Sequence, residues 1–334
     1  MSSSTTSCVV HRRESFRLAL LLVSAAILGC PRPDASASRT VGESGVASVL
    51  KVPTRVHRKL VENSVAVTSV SQRGIIFGLN DSGHEPLVFA YDSTGKGRGI
   101  WRIPGAVDHD WEAAAVGPCG PVASAPSCLY IGDIGDNDAQ RPVVTIYRVP
   151  EPQVLRAGTP LSDSPLPISR LSRINFQYSD HPHDVEAMYV TRDGSIFLIT
   201  KRRLLDVRRR PRRALIYRIP AAAWDSSGVA TATLVDSLPI VPGESEGSQV
   251  SDAALSPDGR LLAVRTYDEV FVFAIDSLTG LPVRHDAPGS CSIRWLNEKQ
   301  GEGIGWWWDG RRLLLTSEGR NEPFFVVGCP LPEE

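Results

Sequence analysis

The amino-acid sequence predicts an all-β fold of the β-propeller class, with five blades favoured, six possible, and the ring closed by an N-terminal strand. The composition supports this, because 28 Gly and 25 Pro among 334 residues, with short apolar runs, favour many strands and turns over long helices. Internal repetition also supports it. Five stretches each combine an acidic residue, a strand of small apolar residues, a turn and a bulkier second strand.

The repeated units have the size of propeller blades. Units of roughly 50 to 75 residues, with three or four short strands each, are typical of blades that carry some insertions. Asp-Gly pairs between the first two strands of three units are typical hairpin turns, because Gly accepts a positive φ. The acidic residues that mark the five units are Glu62, Glu112, Glu186, Asp252 and Glu302.

The small side chains and the closing strand follow from the same architecture. The first strand of a blade lines a narrow channel, so stretches such as "EAAAV" at 112–116 fit there. An open ring would expose a sheet edge. We therefore expect the stretch 53–61, "PTRVHRKLV", to supply the outermost strand of the last blade.

The N-terminus predicts export and a lipid anchor. Arginines precede an uncharged apolar stretch at 18–28, which is too short to span a bilayer and is typical of a secretory signal. The stretch ends in "LGC", which resembles a bacterial lipobox with Cys30 as the lipidated residue. We expect residues 1–29 to be a lipoprotein signal peptide, 30–52 a lipid-anchored flexible linker, and 53–330 a single propeller domain. The predicted location is the bacterial cell envelope, at the outer membrane, the periplasm or the cell surface.

The remaining cysteines agree with an oxidising compartment. An even number of cysteines in an exported chain predicts disulfides. Cys119 and Cys128 flank a short loop, so their pairing would close it, and Cys291 and Cys329 would then staple the end of the chain. Their spacing does not resemble a structural zinc site.

The acidic residues are predicted to converge on one face of the propeller. The first strand starts at the acidic residue, and the antiparallel second strand ends near the same height. Carboxylates around a narrow channel repel one another unless they are protonated, paired with a cation or bound to a metal. Because the donors are oxygens, we expect Ca²⁺ or another hard cation. The predicted metal ligands are Glu62, Asp110, Glu112, Asp184, Glu186, Asp252 and Glu302.

Two alternatives remain open for these acids. An inner-strand carboxylate can instead accept hydrogen bonds from backbone amides and tie one blade to the next. His109 and His183 precede two of the acidic pairs and would suit Zn²⁺ or Mn²⁺.

The charge distribution excludes one class of partner. A net charge of −1 provides no global field for nucleic acid, and we find no basic motif with interleaved aromatic residues. The stretch 201–213 holds eight Lys and Arg residues. It is either a solvated loop or an attractor for an anionic small molecule, an envelope component or lipid head groups. We expect a monomer that contacts the membrane through its N-terminal lipid.

An ordered series of motifs resembles a family of bacterial secreted and lipoprotein β-propellers, which is related at fold level to phytase-like propellers. The resemblance covers nearly all of the chain after Cys30 and implies a propeller with calcium-dependent phosphoester chemistry. The motifs include "NDSG" at 80–83, "GDIGDN" at 132–137, "HDVEA" at 183–187, "QGE" at 300–302 and "TSEG" at 316–319.

Two functions follow as hypotheses. In the first, the protein is a metal-dependent phosphoester hydrolase, with Glu112 and Glu186 at the reacting centre and Lys201 and Arg265 holding the anion. In the second, the ring of acids is structural, and the propeller binds a protein or glycan partner without catalysis.

Overall fold

The computed structural model is an all-β structure. Among the residues that it describes, the helices are the short 3-10 turns Ala221–Asp225, Glu246–Ser248 and Arg294–Leu296. None of the described helices has the length and apolarity to span a bilayer. The predicted signal peptide, Cys30 and most of the stretch 201–213 lie outside the described residues. The structure describes residues 46, 48–120, 125–156, 158–201, 212–240, 246–284 and 288–332.

The strands are short, as propeller strands are. The first half of the chain holds β1 (Ser48–Val52), β2 (Val67–Thr68), β3 (Ile75–Gly78), β4 (Leu87–Asp92), β5 (Gly97–Arg102), β6 (Trp111–Pro118), β7 (Ser127–Asp133), β8 (Val144–Pro150), β9 (Leu166–Pro167) and β10 (Ser172–Tyr178). The second half holds β11 (Val185–Val190), β12 (Ile196–Thr200), β13 (Leu215–Ile219), β14 (Ala230–Ser237), β15 (Val250–Leu255), β16 (Leu261–Thr266), β17 (Glu269–Ala274), β18 (Gly289–Ser292), β19 (Gly301–Trp306), β20 (Leu313–Ser317) and β21 (Phe324–Gly328).

The strands form sheets that follow the repeated units. The strand orders are β2-β3-β4-β5-β9, β15-β16-β17-β18 and β1-β21-β20-β19. An eight-stranded sheet consists of two antiparallel halves, β6-β7-β8-β10 and β11-β12-β13-β14, that meet through the parallel pair β10 and β14. The first strands β2, β6, β11, β15 and β19 are neighbours in that order, and β19 also adjoins β2. The predicted all-β class is confirmed, and this arrangement fits a propeller-like fold.

Close approach between first strands explains their small residues. A side chain at Gly305 would bring its Cβ to 2.2 Å from the carbonyl oxygen of Ala66. Ala113 and Ala187 on β6 and β11 are completely buried. Larger side chains would separate these strands, which explains why the first strands are rich in alanine and glycine.

The strand beside β21 differs from the predicted one. Ser48–Val52 pairs antiparallel with Phe324–Gly328, whereas residues 53–61 contribute one isolated bridge, Arg55 with Lys96. The prediction that 53–61 pairs here is therefore wrong. Pro53 follows the observed strand and has no N–H to donate to a ladder, which ends the pairing. The sheet thus reaches into the predicted linker 30–52.

Both predicted disulfides are confirmed. Cys119 and Cys128 join the ends of the β6–β7 hairpin, with their Cα atoms 5.0 Å apart. Cys291 on β18 pairs with Cys329 just after β21, at a Cα separation of 5.5 Å. Two disulfides are typical of proteins that fold in an oxidising, exported environment.

Candidate functional site

Glu112 occupies a β-bulge at the start of β6. Trp111 pairs with Asp133 and Ala113 pairs with Gly132, so Glu112 is an extra residue with no partner on β7. A bulge turns a side chain out of the regular alternation of a strand and is common beside active sites. Glu112 is nevertheless buried, with 7% of its surface exposed.

Glu186 and Glu302 occupy the same position on two other first strands. The register shifts between Val185 and Ala187 on β11, and between Gly301 and Ile304 on β19. Both glutamates are buried. Three of the predicted acids are therefore equivalent, each at a bulge where a first strand begins.

The other two predicted acids are not equivalent to these glutamates. On β15, Val250 pairs with Thr266 and Asp252 with Arg265, so the extra residue is Ser251. A ring of five equivalent carboxylates is therefore wrong, because a shift of one residue moves a side chain to the other face of a strand.

The first unit also carries a serine at the equivalent position. The carbonyl of Glu62 accepts a hydrogen bond from Asp81, as the carbonyl of Asp110 does from Ile134. Glu62 is thus the counterpart of Asp110, and Ser64, two residues later, is the counterpart of Glu112.

The two serines link neighbouring first strands. The Ser64 hydroxyl donates a hydrogen bond of 3.2 Å to the carbonyl of Trp111, and the Ser251 hydroxyl donates one of 3.1 Å to the carbonyl of Glu302. Equivalent positions thus hold either a glutamate or a hydroxyl that ties two strands together.

Asp252 fits the structural alternative. Its Oδ1 accepts a 2.7 Å hydrogen bond from the amide of Ala253, and its Oδ2 accepts a 2.8 Å bond from the amide of Ile304 on β19. Burial raises the pKa of this carboxyl well above its ordinary value. Both oxygens therefore serve to tie β15 to β19.

A group of three carboxylates lies where β6 begins. One oxygen from each of Asp81, Asp110 and Glu112 lies within 4.8 Å of the other two. Asp81 comes from the loop after β3 and is not among the predicted ligands. The described residues donate no hydrogen bond to the side-chain oxygens of Asp110 or Glu112. These oxygens are therefore available to a cation.

Crowding and burial make this group costly to ionise. Burial, reinforced by the charge of Asp81, raises the pKa of Asp110 to about 6. Burial and then the charge of Glu186 raise the pKa of Glu112 well above its ordinary value. Like charges in a partly buried site favour protonation or a bound cation.

Gly135 leaves the space that two of these acids occupy. A Cβ at this position would lie 2.5 Å from Oδ2 of Asp110 and 2.7 Å from Cγ of Glu112. The loop 134–137 is held here because the amides of Ile134 and Gly135 both donate to the carbonyl of Asp110. Gly135, the second glycine of "GDIGDN", thus permits close packing of the loop against the carboxylates.

Lys201 supplies a positive charge inside the site. Its Nζ lies 2.8 Å from Oε1 of Glu186, and its amide donates to the carbonyl of Asp184. Burial lowers the pKa of the Lys201 ammonium, but the charge and hydrogen bond of Glu186, together with the charges of Tyr267 and Asp184, raise it by more. Lys201 also lowers the pKa of Glu112, against the larger opposing effect of burial. Lys201 therefore offsets part of the negative charge of the acidic residues around it.

Arg265 does not contribute to the open site. Its guanidinium is fully buried and donates 3.0 Å hydrogen bonds to the carbonyls of Gly303 and Thr316, and it pairs with Glu298. The prediction that Arg265 holds an anion is therefore wrong. In the β15–β16 ladder, the backbone of Arg265 lies opposite that of Asp252. From this position, the Arg265 side chain reaches β19 and β20.

Glu302 belongs to a separate hydrogen-bond network. Its Oε1 accepts bonds from the Tyr267 hydroxyl at 3.2 Å and from Nε2 of Gln300 at 2.9 Å. Gln300 also donates to Glu318, and burial together with the charge of Glu302 raises the pKa of Glu318 to about 7. Oε1 of Glu302 therefore already has two neutral donors.

The last two predicted ligands have polar partners of their own. Glu62 is half exposed and lies 2.7 Å from Nε2 of His84. Oδ1 of Asp184 accepts a 3.1 Å hydrogen bond from the amide of Asp136. Neither belongs to the group formed by Asp81, Asp110 and Glu112.

The two predicted histidine ligands do not act together. His109 is exposed on the surface. His183 is buried beside Asp180, which is 3.1 Å from its Nε2, and the hydroxyl of Tyr217. Among the described residues, His183 is therefore grouped with partners other than the acids of the first strands.

A cavity lies at the other end of the first strands. It measures about 440 Å³, and its walls come from the far halves of β2, β6, β11, β15 and β19 together with the turns beyond them. Its lining is mainly apolar and includes Ala114, Val190, Ala254 and Trp306. The carboxylates and this cavity therefore occupy different ends of the same arrangement.

Comparisons with known proteins show a likeness in structure. No protein-family model matches the chain, and no curated protein matches it. Among solved structures, the chain is similar to the crystal structure of Myxococcus xanthus glutaminyl cyclase, at 12% sequence identity and a TM-score of 0.43. The match covers 85% of this chain and 97% of that one. A likeness at this level carries no information about the chemistry of the site.

Proposed function

We propose that this protein is a five-bladed propeller that binds Ca²⁺ where its first strands begin and uses the ion to hydrolyse phosphoesters. The observation that carries this proposal is the group of Asp81, Asp110 and Glu112. Five first strands that adjoin one another in cyclic order support the blade count, and the pairing of Ser48–Val52 with β21 supports closure by an N-terminal strand.

The donor set suits a hard cation. Ca²⁺ binds oxygen ligands at about 2.3–2.6 Å, so ligand oxygens on opposite sides of the ion lie about 5 Å apart. One oxygen from each of the three carboxylates lies within 4.8 Å of the other two, so the three oxygens fit around one ion. Three carboxylates leave part of the coordination sphere to water or substrate.

The positive charge of Lys201 next to the group suits an anionic substrate. A bound Ca²⁺ would polarise a phosphoryl oxygen and lower the pKa of a bound water. Lys201, held by Glu186 beside the group, adds a positive charge that attracts the phosphate. Asp110 and Glu112 would then be ligands, while Glu186 positions Lys201.

The test combines calcium binding with turnover. We expect the purified protein to bind Ca²⁺ in calorimetry and to hydrolyse p-nitrophenyl phosphate or bis-p-nitrophenyl phosphate. Both properties should be lost in Glu112→Gln and after removal of calcium with a chelator. Glu62→Gln is the matched control, because Glu62 lies outside the group and contacts His84. Full turnover without metal would contradict the proposal.

A second candidate is a binding propeller without catalysis. It is favoured by the observation that both predicted anion-binding residues are ion-paired, Lys201 with Glu186 and Arg265 with Glu298. Calcium binding and a calcium-dependent rise in thermal stability, without turnover of any phosphoester in a broad panel, would establish this alternative.

The location of the protein is proposed from its sequence and its disulfides. We propose export and attachment to the cell envelope through a lipid on Cys30, with the propeller as a monomer that meets an anionic small molecule or envelope component. Two disulfides support an oxidising environment. Cys30→Ala should move the protein from the membrane fraction to the soluble fraction. An unchanged membrane fraction would contradict the anchor.

A further inference from the structure

A second set of metal-binding side chains lies in the connection between β10 and β11. Asp180, His181 and His183 follow one another closely in "DHPHD", and one donor atom from each lies within 4.8 Å of the other two. Their partner across the connection is Tyr217 on β13. This group is separate from the carboxylates of the proposed calcium site.

The donor atoms lie close enough together to surround one small ion. Oδ2 of Asp180 lies 3.1 Å from Nδ1 of His181 and 3.2 Å from Nε2 of His183. The hydroxyl of Tyr217 lies 3.0 Å from both oxygens of Asp180 and 2.5 Å from Nε2 of His183. Zn²⁺ with ligands at about 2.0–2.1 Å in a tetrahedron holds its donor atoms about 3.3 Å apart.

The group has one buried ligand, His183, and an open side toward solvent. His183 is 4% exposed, and its ring packs edge-on against the buried ring of Tyr178 at 5.2 Å. The side chains of His181 and Asp180 are 60% and 36% exposed. A metal would therefore meet one fixed imidazole in the wall of the protein and two ligands on the solvent side.

The chemistry of the donors selects the class of metal. Imidazole nitrogen is a poor ligand for Ca²⁺ but a preferred one for Zn²⁺ and other late transition metals. Two imidazoles and one carboxylate, with a fourth position taken by water or a hydroxyl, are typical of zinc centres.

We propose that Asp180, His181 and His183 bind a transition-metal ion of the Zn²⁺ class, with the Tyr217 hydroxyl beside the fourth position. The site links the connection between β10 and β11 to strand β13. Bound metal therefore stabilises this part of the fold, and it does so independently of calcium.

The proposal is tested by metal binding to the protein produced without a histidine tag. After chelator treatment, calorimetry should show one Zn²⁺ per chain, and Co²⁺ should give the visible absorption bands of a tetrahedral complex. Zn²⁺ should also raise Tm. Absence of saturable zinc binding would overturn the proposal.

Variants distinguish zinc binding at this site from zinc binding by other histidines on the surface. His181→Ala changes an exposed residue and should fold, and it should bind Zn²⁺ about a hundredfold more weakly, since even the loss of an outer contact to a metal ligand costs 10–100-fold. Asp180→Asn should weaken binding similarly. His84→Ala and Glu112→Gln should bind Zn²⁺ as the unaltered chain does. Zinc affinity unchanged in His181→Ala would overturn the proposal, whatever the result for calcium.

Discussion

Lys201 donates a hydrogen bond of 2.8 Å to Oε1 of Glu186, and this contact places a positive charge among the carboxylates of the candidate site. Glu186 is almost fully buried, and 19% of the Lys201 side chain is exposed. Lys201 thus offsets negative charge at a buried position, where water screens charges poorly.

Replacing Lys201 separates its effect on stability from its effect on calcium binding. Lys201→Met leaves a buried carboxylate without its partner and should lower the free energy of unfolding by about 3 kcal/mol in calcium-free buffer. Calcium affinity should rise, because a positive charge beside the ligands is removed. Urea unfolding and calorimetry measure the two effects. Lys201→Met combined with Glu186→Gln should recover most of the lost stability, and no recovery would contradict the pairing argument.

Asp252→Asn tests the structural role of this acid. Both carboxylate oxygens accept backbone amides, and the amide group of Asn can replace one acceptor but presents N–H donors at the other. We expect a loss of about 1–3 kcal/mol in unfolding free energy, with calcium affinity unchanged. A large loss of calcium binding without destabilisation would show instead that Asp252 is a ligand.

Gly135→Ala tests the close packing of the loop against the site. The added Cβ would meet the carboxyl carbon of Asp110 at 2.5 Å, so the carboxylate must move. Overpacking of this kind costs about 1–3 kcal/mol. We expect calcium affinity to fall about tenfold or more, which corresponds to at least 1.4 kcal/mol. Gly120→Ala is the matched control, because its Cβ would meet nothing within 4 Å.

Acid stabilises the calcium-free protein over part of the pH range. The raised pKa values of Asp110 (about 6) and Glu318 (about 7) mean that the native state binds more protons than the unfolded chain at mildly acidic pH. Unfolding free energy should therefore fall as pH rises from about 4 to about 8, because Glu186, whose pKa is raised to about 8, extends the range. Urea unfolding across this range, with chelator present, measures the slope.

Calcium and substitution provide the controls for this pH dependence. Calcium binds the ionised carboxylates of the group, so saturating calcium should flatten or reverse the slope. Asp110→Asn combined with Glu318→Gln should make the slope smaller, and Asp108 and Glu186, whose pKa values are raised to about 7 and about 8, should keep the rest of it. A stability that rises with pH in the calcium-free protein would contradict the raised pKa values.

Sequence reasoning found the repeat but not its register. The glutamates 112, 186 and 302 were correctly aligned because each precedes small residues on a strand that begins in the same way. Asp252 and Glu62 were aligned by charge, although strand pairing places Ser251 and Ser64 at the equivalent positions. A β-bulge inserts one residue without a distinctive sequence signal, so the two alignments differ by one or two positions.

Charge alone also could not predict how the cations are used. Lys201 and Arg265 both follow or end second strands, and both were predicted to hold an anion. Lys201 lies beside Glu186, whereas the guanidinium of Arg265 reaches the carbonyls of β19 and β20. The difference depends on which face of the strand each side chain leaves, and a one-residue shift reverses it.

The sequence by itself determined the all-β class, the repeated units, the two disulfides and the need for small residues on the first strands, because these follow from composition, spacing and strand periodicity. Tertiary structure alone decided which acids come together. Asp81 lies in the loop after β3, whereas Glu112 lies on β6 of another sheet. The group of Asp180, His181 and His183 meets Tyr217 only through folding. Such contacts depend on bulges and on packing between sheets, for which local sequence carries no signal.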